Sequence, residues 1–264
     1  MNDFVYKRYG GGVNSKKYSI KPGPNFMSRR QAVFDAIRDL PSGKLIDIGC
    51  GMGAIAYEFY RKGYGVTGIE IETESIAVAN DLFNNPTEII DFRRETTEAD
   101  HGVYDYVGSF EVIEHIADDH EFIKDVSKYL KPHGHIIIST PCHMSKWGHT
   151  DTWAGHVRRY EKPEIISLFE QNGFTIKKLY SYAFPIMNLS RFLYNSVFAK
   201  ARLDMSENKD LLTSTKQSGL NREADKKFAW LNPQIVVWLF TMLGRLFYKR
   251  DWGYGYVVVA QKKD

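Results

Sequence analysis

Residues 45–53, Leu-Ile-Asp-Ile-Gly-Cys-Gly-Met-Gly, constrain the fold more than any other stretch of the chain. An apolar run meets three alternate glycines, the pattern of a buried strand ending in a turn where backbone approaches a ligand closely. Leu45, Ile46 and Ile48 supply the strand, Asp47 lies near its end, and Gly49, Gly51 and Gly53 clear every Cβ from the turn. A helix is expected to open at about Gly53. The spacing G-x-G-x-G, with an acid two residues before the first glycine, differs from the G-x-G-x-x-G that seats a pyrophosphate on a helix N-terminus. Seventeen residues beyond Gly53, the segment 64–70 reads as a second strand ending in Glu70, placed to bind a ribose hydroxyl pair. A tight turn without ligand would explain the glycines alone. With Glu70 in place, the pattern predicts a site for an adenosine cofactor.

At 264 residues, 43% of them hydrophobic, the chain has material for one substantial core, the size of a single α/β domain with an appendage. The net charge is only +3 and the basic pairs at 29–30, 93–94, 158–159 and 226–227 are scattered, so charge does not imply a nucleic-acid partner. Two cysteines, Cys50 and Cys142, and an N-terminus without an apolar signal region point to a reduced, cytoplasmic setting. The longest apolar run, 235–244, falls short of the roughly 20 residues that span a bilayer.

From about residue 26 to 180, apolar strands alternate with helical patterns, the sequence form of a parallel sheet covered on both faces. Expected helices are 26–40, 53–62, 73–84, 119–130 (ended by Lys131-Pro132) and one begun by Pro163 and closed at Gly173. Expected strands are 44–49, 64–70, 87–93, 104–110, 135–140, 174–180 and 254–260. The fold class is therefore α/β: a doubly wound, mostly parallel, seven-stranded Rossmann-like sheet with an α-helical insertion before the last strand. The division is a lid or tail over 1–25, a cofactor-binding core over 26–180, a helical substrate or oligomer insertion over 181–253, and the core's last strand over 254–264.

A second chemical pattern, Ser-Phe-Glu-Val-Ile-Glu-His over 109–115, leaves the fourth strand at the carboxyl edge of the sheet, where open α/β folds bind ligands. If the chain turns helical there, Glu111, Glu114 and His115 share one face and could converge on a cation. The alternative is that acids favour a helix's first turn because of its dipole.

From residue 31 to about 180 the chain resembles class I S-adenosylmethionine (SAM)-dependent methyltransferases, and more closely the O-methyltransferases of ubiquinone biosynthesis. The similarity is densest in Asp-Phe-Arg-Arg-Glu-Thr-Thr from Asp91, in Phe-Glu-Val-Ile-Glu-His from Phe110, and in Leu-Lys-Pro-His-Gly-His-Ile-Ile-Ile-Ser-Thr-Pro from Leu130. The Glu-x-x-Glu-His pattern also resembles small-RNA 3′-terminal 2′-O-methyltransferases, where it binds a divalent metal with a downstream histidine. The resemblance implies SAM as cofactor, with Asp47, Gly49, Gly51 and Gly53 at its methionine end, Glu70 at the ribose, Glu95 and Thr96 at the adenine, and Phe110 and Glu111 on the sulfonium side. It implies Glu111, Glu114 and His115 as metal ligands, completed by His156, with His143, His149 and Asp151 as other candidates nearby. Mixed carboxylate and imidazole ligands fit Mg²⁺ or Mn²⁺, otherwise Fe²⁺ or Zn²⁺. Without a metal, His115 or His156 becomes the candidate base. His133 stands where these enzymes usually carry a glycine.

The insertion reads as an apolar stretch 185–203, a polar link 204–227 and a second apolar stretch 228–250 carrying Trp230 and Trp238. It is expected to wall the acceptor pocket or form a dimer face, with membrane-surface contact beside Lys249 and Arg250 as the alternative. The expected activity is methyl transfer to a hydroxyl, or else an amine, of a small metabolite, with a sugar, nucleotide-linked sugar or surface-glycan precursor first. A quinone-precursor phenol, an RNA 2′-hydroxyl and a noncatalytic SAM-binding partner role are the rivals. The sequence leaves monomer and homodimer open.

Overall fold

The computed structural model describes residues 13–14, 19–20, 23–84, 89–190 and 234–263. A short antiparallel ribbon, β1 (Val13–Asn14) and β2 (Ser19–Ile20), precedes α1 (Pro24–Ile37). The rest of the expected N-terminal lid, most of the insertion and Trp230 lie outside the described residues.

Seven strands form one sheet: β3 (Lys44–Ile48), β4 (Gly65–Ile69), β5 (Asp91–Arg93), β6 (Tyr104–Phe110), β7 (Leu130–Pro141), β8 (Phe174–Tyr182) and β9 (Gly255–Lys262). Their order across the sheet is β5-β4-β3-β6-β7-β9-β8. The first five are parallel, and β9 runs antiparallel between β7 and β8. The helices are α2 (Ala54–Arg61), α3 (Thr73–Phe83), α4 (Asp119–Ser127), α5 (His149–Ala154), α6 (Lys162–Gln171) and, within the insertion, α7 (Gln234–Gly244).

Continuous apolar strands make two cores, because successive side chains leave opposite faces of the sheet. Leu45, Ile137, Val257 and Val259 join α1, α2 and α3 through Val33, Ile37, Phe59 and Leu82. Ile46, Ile136, Ile138 and Val258 join α4 and α6 through Ile123, Val126, Ile165 and Phe169. Each Ile or Leu buried this completely stabilises the fold by about 1.5–3 kcal/mol. Strand order reverses between β3 and β6, so the crevice at their carboxyl ends is the natural ligand position.

One boundary differs in kind from the sequence expectation. The helix expected to run to residue 130 stops at Ser127, and β7 begins at Leu130, with Pro132 inside it. Proline has no N–H to give a sheet, and the ladder is irregular there: Tyr104 pairs with Leu130, but Tyr106 pairs with His135. His133, in place of the usual glycine, takes the positive φ of 60° that a glycine would adopt.

The described part of the insertion packs on the core by one helical face. Val237 of α7 is buried with Met27 of α1 and with Ile186. Thr241, one turn on, is also buried, while Leu239, Leu243 and Leu246 are exposed. No helix among the described residues is long and apolar enough to cross a membrane.

Candidate active site

The cofactor cradle begins at the end of β3. Asp47 is 1% exposed, and Oδ1 of its carboxyl has no hydrogen-bond partner among the described residues. Burial, and then the charge of Glu70, push its pKa up to about 7 against the pull of Arg29. The three glycines serve different purposes. A Cβ on Gly49 would lie 2.5 Å from Val112 Cγ2, and one on Gly53 would lie 2.6 Å from Phe92, so packing requires both. A Cβ on Gly51 would meet nothing within 4 Å, so this glycine faces the open crevice. Glu70 ties the turn in place: Gly51 N–H donates to one carboxylate oxygen at 2.9 Å and Glu72 N–H to the other at 3.1 Å. An orphaned acidic oxygen, an open glycine and a carboxylate at the next strand's end fit an adenosine ligand carrying a cationic methionine end.

The remaining cofactor candidates divide. Glu95 is exposed. Thr96 is half-buried, and its hydroxyl lies 2.8 Å from the Tyr129 hydroxyl. The Phe110 side chain does not face the crevice; it is buried in the core against Phe59, with ring centroids 6.1 Å apart. Strand alternation sends it inward.

The expected helical face over 111–115 is corrected. Glu111 N–H still donates to Ser139 O at 2.9 Å, in register with β7, and the residue then turns at a positive φ of 61°. Only a single 3₁₀ turn, Ile113–His115, follows. Glu111 is therefore sent away from Glu114 and His115. Its carboxylate accepts from the Tyr182 hydroxyl at 2.9 Å and the Ser139 hydroxyl at 3.3 Å, and lies 3.3 Å from an Arg29 guanidinium nitrogen. Sequence reasoning missed Arg29 as a site residue. It is 7% exposed on α1, and its Nε has no partner among the described residues. The sequence signal is a cation at helical spacing from Phe26, Val33 and Ile37, on an otherwise apolar helix face.

Glu114, His115 and His156 do come together, each offering a ligand atom within 4.8 Å of the others. Glu111 is outside this group. Glu114 is fully buried; Thr140 Oγ1 donates to its Oε2 at 3.2 Å, while Oε1 has no hydrogen-bond partner among the described residues and lies 3.9 Å from His156 Nε2. Burial, then the charge of Glu111, raise its pKa well above the ordinary carboxyl range. The two imidazoles meet edge to face, 4.8 Å between centroids. His115 Nδ1 lies 3.2 Å from Gly155 O, and burial, followed by the nearby His156, lowers its pKa. Of the other candidates, His149 is exposed, His143 sits between Glu161 and Asp251, and Asp151 lies behind His156.

A methyltransferase domain family matches residues 25–179. The chain belongs to that family. Within it, this class I SAM-dependent methyltransferase domain is similar to two curated enzymes named ubiquinone biosynthesis O-methyltransferase. That of Pectobacterium atrosepticum is 35% identical over 101 residues, 37% of this chain and 42% of the enzyme, so the match spans less than half of that relative. That of Pelagibacter ubique is 30% identical over 172 residues, 58% of this chain and 70% of the enzyme. A SAM-dependent methyltransferase from Mesorhizobium loti shares the fold, with a TM-score of 0.54 at 15% identity over 91% of this chain and 100% of that one.

Proposed function

We propose that this chain transfers a methyl group from SAM to a hydroxyl of a small-molecule acceptor, an aromatic hydroxyl of the quinone-precursor type. The observation that carries the reading is the buried Glu114 Oε1, without a hydrogen-bond partner among the described residues and facing His156 Nε2, beside His115, at the carboxyl edge of the sheet. The names of the curated relatives support the acceptor class over a sugar. Asp47, Arg29 and the Gly51 backbone hold the methionine end, and Glu70 takes the ribose hydroxyls. Glu114, His115 and His156 hold the acceptor oxygen on the opposite side, and they are the residues that would bind a divalent cation. When bound, SAM supplies an electrophilic methyl on a sulfonium and the cation supplies Lewis acidity that lowers the hydroxyl's pKa. The chain's own part is alignment, for which well-oriented groups recover roughly 7–11 kcal/mol of barrier.

Calorimetry with S-adenosylhomocysteine, followed by methyl-transfer assays on a catechol-type quinone precursor, a nucleotide-linked sugar and an RNA 3′ terminus, tests the reading. Transfer to the catechol that chelation abolishes and Mg²⁺ or Mn²⁺ restores is the expected result. Full activity after chelation, in a preparation without stoichiometric metal, would assign proton removal to an imidazole alone. Cofactor binding without transfer to any acceptor would support the noncatalytic role.

A further inference from the structure

The side chains behind His156 are more constrained than a loop needs. Asp151 lies in the first turn of α5, is 1% exposed, and its carboxylate has four hydrogen-bond contacts, three of them from fixed donors. Gly148 N–H donates to Oδ2 at 2.8 Å, Arg159 Nε to Oδ1 at 2.8 Å and a second Arg159 nitrogen to Oδ2 at 3.1 Å, and His156 Nδ1 lies 2.9 Å from Oδ1. Arg159 is itself held on every side: it is 3% exposed, donates to Cys142 O at 3.0 Å, and lies over the Tyr254 ring at 4.3 Å. A two-pronged arginine cannot rotate to follow a moving partner, so Oδ1 of Asp151 stays aimed at His156.

We propose that Asp151, clamped by Arg159, is a positioning residue that fixes His156 in the tautomer with hydrogen on Nδ1, so that Nε2 presents its lone pair to Glu114 and the acceptor. An arginine-paired carboxylate only accepts, so the hydrogen between the two residues belongs to the imidazole. His115 is set the same way by a different device, because Gly155 O is a carbonyl and its partner Nδ1 must donate. Gly155, in a left-handed conformation, closes α5, so one short helix carries Asp151 and ends at the carbonyl that orients His115. The proposal rests on the site reading above, but its central measurement does not.

The test is the imidazole ¹H–¹⁵N long-range NMR spectrum of the full, metal-free chain at mildly alkaline pH, where an imidazole is neutral, with His156 assigned by His156→Gln. A protonated Nδ1 and bare Nε2 are expected. A wild-type spectrum showing hydrogen on Nε2 overturns the proposal without any variant. In Asp151→Asn, whose amide can donate, hydrogen should move to Nε2 and Mn²⁺ affinity should fall about 10–100-fold, the usual cost of losing such an outer partner. S-adenosylhomocysteine affinity should stay within about twofold, the sign that the domain is folded. Arg159→Lys, which keeps the charge and loses the fork, should give an intermediate loss of Mn²⁺ affinity. If Asp151→Asn retains the Nδ1 hydrogen and its Mn²⁺ affinity, Asp151 is only a brace for the loop. A wild-type chain that binds no Mn²⁺ would overturn the cation part of the proposed function alone, and the tautomer reading would still decide this inference.

Discussion

Glu70 and Gly51 are joined at the carboxyl ends of the neighbouring strands β4 and β3: the Gly51 N–H donates to a Glu70 oxygen at 2.9 Å. The acid that follows β4 thus shapes the glycine turn that follows β3. Removing the carboxylate loses a charged acceptor for the loop and, on the proposed function, one for the ribose. Glu70→Ala should weaken S-adenosylhomocysteine binding by about 1.5–3 kcal/mol for each charged hydrogen bond lost. Calorimetry reads it, and unchanged affinity in a folded variant would exclude Glu70 from the cofactor site.

Asp47 gives a pH signature. Its folded pKa of about 7 lies above the ordinary 3.8, so the ligand-free fold favours the protonated form. As pH rises from about 4 to 7 the unfolded chain ionises first, and stability falls across that window, by up to roughly 4 kcal/mol for about three units. Asp47→Asn should flatten this loss, raise the ligand-free melting temperature at neutral to alkaline pH, and weaken cofactor binding. Differential scanning calorimetry across the window checks the sign.

Gly51 and Gly53 both have positive φ, 55° and 75°, and both would strain an alanine by about 1–2 kcal/mol. They differ in what a methyl group would meet. Gly53→Ala adds a clash with Phe92 and should cost a further 1–3 kcal/mol of overpacking. Gly51→Ala should stay nearer the strain cost in stability and lose cofactor affinity disproportionately. Equal melting temperatures for the two variants would contradict this division.

The two sides of α7 should respond oppositely to charge. Val237→Asp places a carboxylate against Met27 and Ile186 and should destabilise by several kcal/mol. Leu243→Glu with Leu246→Glu falls on exposed positions and should change stability by less than about 0.5 kcal/mol each. Flotation of the wild-type chain with anionic vesicles, lost in the double variant, is the result a membrane-facing role requires.

Much was legible in the residues themselves. Alternating buried strands and amphipathic helices dictate a single sheet covered on both faces, since Leu45 and Ile46 each need a separate apolar face. Asp47, the glycine turn and Glu70 were legible as one cluster because their spacing alone brings them to adjacent strand termini. Local pattern could not say that Gly49 and Gly53 are glycines for Val112 and Phe92, or that Phe110 turns inward.

The acid and histidine site was only half legible, for the same reason. Glu111, Glu114 and His115 are close in sequence, but the ladder bond from Glu111 to Ser139 and a left-handed turn divide them. Glu111 goes to Arg29 and Tyr182, side chains separated from it by 82 and 71 positions. His156 joins Glu114 from a loop whose geometry is set by Asp151 and Arg159. Spacing and hydrophobic period determined the sheet and the cofactor turn, because those depend on neighbours along the chain. Which acid meets which base was decided by tertiary structure, because buried charges take the partners that packing brings to them.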